Sequence, residues 1–128
     1  GIYLSEFDVI VPTTPSPFRL DIALVSLDKL ISLKPKALYY SHFGKAYNAM
    51  ERLKIYEEQL KLWAKIVKQG IENKESLESI SERIIENDDS LQKAIEYIKS
   101  HPIMSETVLK ESVHGTMDFV EKFGCSFN

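Results

Sequence analysis

From Leu20 onward, apolar residues recur three and four positions apart through most of the chain. That period predicts amphipathic helices, each with one stripe to bury. The first carries Leu20, Ala23, Leu24, Leu27, Leu30 and Ile31 and runs to Leu33, with Asp21, Asp28 and Lys29 on its other side. Ser16 is placed to cap it and Pro17 to fill its first position, where a missing N–H does no harm. Lys34-Pro35 stops it, because the residue before a proline is pushed out of the α region. The longest stretch begins at Lys45, with Ala46, Met50, Leu53, Tyr56, Leu60, Trp63, Ala64 and Val67 on one stripe and Gly70 reading as the residue just past its end. Asn73 or Ser76 caps a further helix bearing Leu77, Ile80, Ile84 and Ile85. Asn87-Asp88-Asp89-Ser90 ends that one and caps another, with Leu91, Ala94, Ile95 and Ile98. His101-Pro102 breaks the pattern. Ser105 and Glu106 then open a last helix, whose stripe is Val108, Leu109, Val113, Met117, Val120 and Phe123 and which Gly124 ends. Gly115 in its middle costs about 1 kcal/mol against alanine, so it predicts the close approach of a neighbouring helix.

The first part of the chain reads differently. Gly1–Leu4 and Phe7–Val11 are branched and aromatic runs, and Ser5-Glu6 between them is short enough for a hairpin turn. Three prolines from Pro12 to Pro17 remove backbone donors and favour an extended, semi-rigid connector. Ala37-Leu38-Tyr39-Tyr40 has the run length and apolarity of a buried strand in a parallel sheet. Ser41-His42 falls where that strand ends, and Phe43-Gly44 turns the chain into the long helix. The fold expected is α+β and mainly α: short N-terminal strands and an α/β edge over residues 1–44, then a helical C-terminal region over residues 45–128.

Composition narrows the function classes. At 128 residues the chain is one domain's worth, or part of a larger one, and 44% hydrophobic residues suffice for a core. A formal charge of −3 provides no electrostatic footprint for nucleic acid. The single cysteine, Cys125, excludes an internal disulfide and a Cys-rich zinc site. No apolar run approaches the roughly 18 residues of a membrane span, so a soluble, cytoplasmic protein is expected, with no membrane partner. The acidic positions from Glu72 to Asp89 lack the alternating oxygen ligands and central glycine of a calcium loop and read as a solvated face. Trp63 and Tyr56 on one stripe read as core or interface. His42, at the carboxyl end of a strand, is placed to offer an imidazole nitrogen to a metal or a moving proton. The same position also suits a half-buried histidine bonded to a carbonyl. His114, beside Gly115, is a further candidate.

From Val11 to Gly44, the order Val-Pro-Thr-Thr-Pro-Ser-Pro-Phe, Ser-Leu-Asp-Lys-Leu, Leu-Lys-Pro-Lys-Ala-Leu-Tyr-Tyr-Ser-His-Phe-Gly resembles the final part of a metallo-β-lactamase-superfamily hydrolase domain. In that family a Pro-rich loop leads to a helix, a strand and then the last metal-binding histidine. The resemblance makes His42 that ligand and Phe18 a wall of the substrate pocket. It implies metal-assisted hydrolysis, in which zinc or iron lowers the pKa of a bound water. The family's His-x-His-x-Asp-His cluster has no counterpart, since the histidines are His42, His101 and His114. The chain thus resembles a C-terminal portion of such an enzyme. Alone it is expected to bind no metal and to be inactive, with no catalytic residue assigned. Its expected partner is the missing N-terminal portion of the same domain, or a second copy, docked on strand residues Ile2, Leu4, Val9, Val11, Leu38 and Tyr40. The alternative is a non-catalytic helical interaction or dimerisation domain.

Overall fold

A computed structural model describes residues 1–40 and 44–124. The fold is α+β and mainly α, two small hairpins beside a helical body. Strand β1 (Ile2–Leu4) pairs antiparallel with β2 (Val9–Val11), Ile2 opposite Val11 and Leu4 opposite Val9. The turn takes more residues than Ser5-Glu6. Phe7 N–H bonds back to the Leu4 carbonyl (3.2 Å) and Asp8 sits in the left-handed region, φ 54°, which an aspartate tolerates better than most residues. Helix α1 (Leu20–Ser32) follows the proline loop. Ser16 does not cap it. Arg19 is the N-cap residue, with no side-chain cap bond, and the Ser16 hydroxyl instead bonds Asp118.

Strand β3 (Ala37–Tyr40) corrects the parallel-sheet expectation. It pairs antiparallel with β4 (Gly44–Tyr47), Ala37 opposite Tyr47 and Leu38 opposite Ala46. A parallel partner would need a crossover of a dozen residues or more, whereas Gly44–Tyr47 lies immediately downstream. The long helix therefore starts later than Lys45. Asn48 takes a left-handed conformation, φ 55°, and α2 runs from Ala49 to Glu72. Gly70 does not end it. That glycine is buried inside the last turns, where a Cβ would overlap the Ile80 side chain, and the chain turns at Lys74, φ 55°.

Helix α3 (Leu77–Asn87) is capped by Ser76, whose hydroxyl accepts from Ser79 N–H (3.2 Å). The next expected helix is two, α4 (Asp89–Lys93) and α5 (Ile95–Ser100), broken at Ala94 so that Leu91, Ala94 and Ile98 all point inward. His101 caps a short α6 (Pro102–Met104), with Pro102 at its first position. This helix continues without a break through a π-helical stretch, Ser105–Glu111, into α7 (Ser112–Phe123). Ser105 therefore lies inside the last helix instead of opening it. Gly124, φ 76°, ends it as expected.

One apolar core joins both regions of the chain. Leu4, Val9, Val11, Leu20 and Leu27 pack with Leu53, Leu60, Trp63, Val67, Ile80, Ile84, Val113 and Val120. Trp63 is fully buried, and its indole N–H donates to the Asp88 carboxylate (2.7 Å). Gln59 Nε2 donates to the same oxygen (2.8 Å), while Leu91 N–H donates to Asp88 Oδ1 (3.1 Å). The buried carboxylate thus caps α4 and ties α2 to the α3–α4 corner. The strands expected to lie open are covered: Leu4, Val9 and Val11 are buried and Ile2 packs against the core.

Gly115 does admit a close neighbour, but it is the backbone of the proline loop and not a helix. A Cβ there would overlap the Thr14 carbonyl oxygen and lie 2.8 Å from the Pro15 carbonyl carbon. Replacing glycine by alanine in a free helix would stabilise it by about 1 kcal/mol. Here Gly115→Ala should instead destabilise by about 1–3 kcal/mol, the usual cost of overpacking. Chemical denaturation of the two proteins checks the sign.

Candidate functional site

The proline loop is held by polar groups that it shares with α7. Thr14 N–H donates to Ser112 Oγ (2.9 Å), and the Thr14 hydroxyl donates to the Ser112 carbonyl (2.8 Å). Thr116 Oγ1 donates to that same carbonyl (3.0 Å) and stands 3.2 Å from Thr14 Oγ1. All three side chains are buried. Outside this knot, Phe18 meets Phe119 edge to face with ring centres 6.3 Å apart. The Arg19 guanidinium lies 4.4 Å over the Phe123 ring. Phe18 is thus half-buried, against the last helix and the core.

This anchorage delivers α1 to its place with only one side covered. Leu20 and Leu27 are buried, and Ala23, Leu24 and Ile31 pack against the core. The opposite side carries further apolar residues among Ser26 and Lys29: Ile22 is 56% exposed, Val25 55% and Leu33 75%, with Leu30 beside them at 42%. Ile22 and the C-cap residue Leu33 fall close to one line of the helix surface, since eleven residues are near three whole turns, with Val25 to one side and exposed Lys29 between them. The polar side of α1 holds little that stands out: Arg19 pairs with Asp21 (2.6 Å) at its start. Where α1 meets α2, burial and the Asp28 carboxyl push the Glu57 carboxyl up, opposed by the Lys61 ammonium 3.2 Å away.

The hairpin that carries the predicted metal ligand is tied down by Arg52 at the start of α2. Its Nε donates to the Tyr47 carbonyl at the end of β4, and its Nη2 pairs with Asp8 Oδ1. Tyr3 Oη donates to that carboxylate as well (2.7 Å), and its ring lies 5.1 Å from the guanidinium. Both hairpins therefore meet on one arginine. His42 itself, between β3 and β4, lies outside the described residues, as does Cys125. His101 and His114 are elsewhere, His101 capping α6 and His114 exposed 3.6 Å from Asp118. Among the described residues no group of three or more His, Cys, Asp and Glu side chains is placed to hold a metal ion. No described helix is long and apolar enough to cross a membrane.

Comparison with family models, curated proteins and solved structures finds no match to this chain. The apolar outer side of α1 is the feature that sequence periodicity missed. Ile22, Val25 and Leu33 fall outside the stripe that the core selects, and their number could have been read as a second stripe.

The Tyr3 hydroxyl, with Arg52, holds the Asp8 carboxyl below the usual carboxylate range. A carboxylate lowered in the folded state contributes stability above its unfolded pKa, about 3.9, and loses that contribution as pH falls through the folded value. Because the Asp8 side chain is 65% exposed, the contribution should stay below about 1 kcal/mol. Asp8→Asn should therefore lower the melting temperature slightly at neutral pH, with the gap to the parent closing below about pH 4. Thermal melts across a pH series read it directly.

Proposed function

We propose that this chain is a non-catalytic helical interaction unit that associates with a second copy of itself through the outer side of α1. The observation that carries the reading is the set Ile22, Val25 and Leu33, each more than half exposed on a helix whose other side already serves the core. Exposed apolar positions scattered singly are ordinary, but several gathered on one side of a helix supply surface that association would cover. Burying each such side chain is worth about 1.5–3 kcal/mol, and twofold pairing covers the same set on both copies at once. The reading moves the contact from the N-terminal strands, which the core has taken, to the neighbouring helix. A soluble, cytoplasmic setting goes with it. Sedimentation velocity over a concentration series should show a dimer that Val25→Glu with Leu33→Glu converts to monomer without changing the circular dichroism spectrum. A parent chain that stays monomeric at the highest concentration overturns the reading.

A second reading keeps the hydrolase resemblance. It is supported by the element order: proline loop, α1, β3 and then His42 follow one another as they do toward the end of a metallo-β-lactamase-type domain. On this reading the chain is the C-terminal portion of a metal-dependent hydrolase, His42 supplies one ligand to zinc or iron, Phe18 borders the substrate, and the other ligands come from an N-terminal portion of the same domain. A catalytic zinc needs about three protein ligands. The chain by itself should then hydrolyse no ester or thioester and carry no stoichiometric metal by elemental analysis. Metal and activity should appear when the N-terminal portion is supplied, and His42→Ala should abolish both. Metal-dependent turnover by the chain alone, or full activity of the His42→Ala form in the reconstituted protein, contradicts it.

A further inference from the structure

A groove elsewhere on the surface has the volume and chemistry of a ligand site. It is an open cavity of about 360 Å³ between α3 and the π-helical stretch, with Lys99 of α5 at one end. Small-molecule sites range over roughly 300–1,000 Å³. Its floor is apolar: Leu77 and Ile85 from α3 face Leu109, and all three are half-buried against the core, so the floor is backed by packed side chains. Ser81 Oγ donates to the Leu109 carbonyl (3.2 Å), joining the two walls. One of those walls is π-helical, a geometry that is uncommon within helices and frequent at functional sites.

The lining carries charge of both signs. Glu78 and Glu82, one turn apart on α3, belong to the lining, as do Lys110 of the π-helical stretch and Lys99 of α5. All four side chains are on exposed residues. Lys110 has a partner within its own stretch, Glu106 at 3.4 Å, and among the described residues no ion pair joins Glu78 or Glu82 to Lys99 or Lys110. The groove is therefore lined by two carboxylates, two ammonium groups and an apolar strip. That pattern suits a ligand with a cationic end, an anionic end and an apolar body.

We infer that the groove binds a short apolar peptide with free termini. The amino terminus lies toward Glu78 and Glu82, the carboxylate toward Lys99 and Lys110, and the side chains on Leu77, Ile85 and Leu109. Length agrees with this choice. Packed helices stand about 8–10 Å apart, and an extended chain advances about 3.3–3.6 Å per residue, so two or three residues reach from wall to wall. The site is remote in sequence from α1 and does not depend on self-association.

The test is a titration of the isotope-labelled full chain with leucyl-leucine and, in parallel, with the same dipeptide acetylated and amidated at its ends. Free dipeptide should move the amide resonances of Ser81 and Lys110, and the capped form should bind more weakly. An exposed ion pair is worth about 0.2–1 kcal/mol, so Glu82→Lys and Lys99→Glu should each weaken binding by up to about fivefold. Val25→Glu with Leu33→Glu should leave it unchanged. Four results overturn the inference: no shifts at millimolar dipeptide, equal binding of the capped form, shifts confined to α1, or charge reversals without effect.

Discussion

The contact on which the rest of this structure rests is the seating of the proline loop on α7. Thr14 approaches so closely that position 115 has no room for a side chain, and the buried hydroxyls of Thr14, Ser112 and Thr116 share the polar groups that this closeness brings together. Buried polar groups that lose a partner cost about 1–3 kcal/mol each, so the contact forms completely or is expensive. It links residues about a hundred positions apart, closing the N-terminal hairpin and α1 onto the end of the helical body. The π-helical geometry just before Ser112 belongs to the same arrangement. Ser112 Oγ donates to the Thr107 carbonyl five residues back (2.6 Å) while accepting from Thr14 N–H.

A second buried node joins α2 to the corner between α3 and α4. Asp88 receives three N–H donors, from Trp63, Gln59 and its own helix at Leu91. The largest apolar side chain of the core is thereby fixed through its one polar atom, and the turn between α3 and α4 acquires a definite position. Because that turn sets the direction of α3, the same node holds one wall of the groove facing Leu109. Geometry at a surface site here derives from a hydrogen-bond network several residues beneath it.

These two anchors leave α1 in an unusual condition. It is held at its start by the loop and along one side by the core, so its remaining apolar side faces outward on a rigid support. Arg52 joins the two hairpins, bonding the Tyr47 carbonyl of one and the Asp8 carboxylate of the other.

The helices were legible in the chain itself. Spacing of Leu53, Leu60, Trp63 and Val67, a cap at Asn73 or Ser76 and the stop at Gly124 are local properties, decided within a few residues by periodicity and backbone freedom, and the structure selects Ser76. Strand partners were not legible, because pairing is decided by what else lies nearby. Ala37–Tyr40 has the composition of a buried parallel strand and became half of a hairpin, since Gly44–Tyr47 was the closest free edge. The two helical glycines show the same division. Sequence identified Gly70 and Gly115 as exceptions, but whether each ends a helix or admits a neighbour depends on Ile80 and Thr14, contributed from ten and a hundred positions away. The covered strands and the uncovered side of α1 were likewise tertiary outcomes. Apolar residues on every side of a helix compete for one core, and only the packed arrangement decides which of them remain in water.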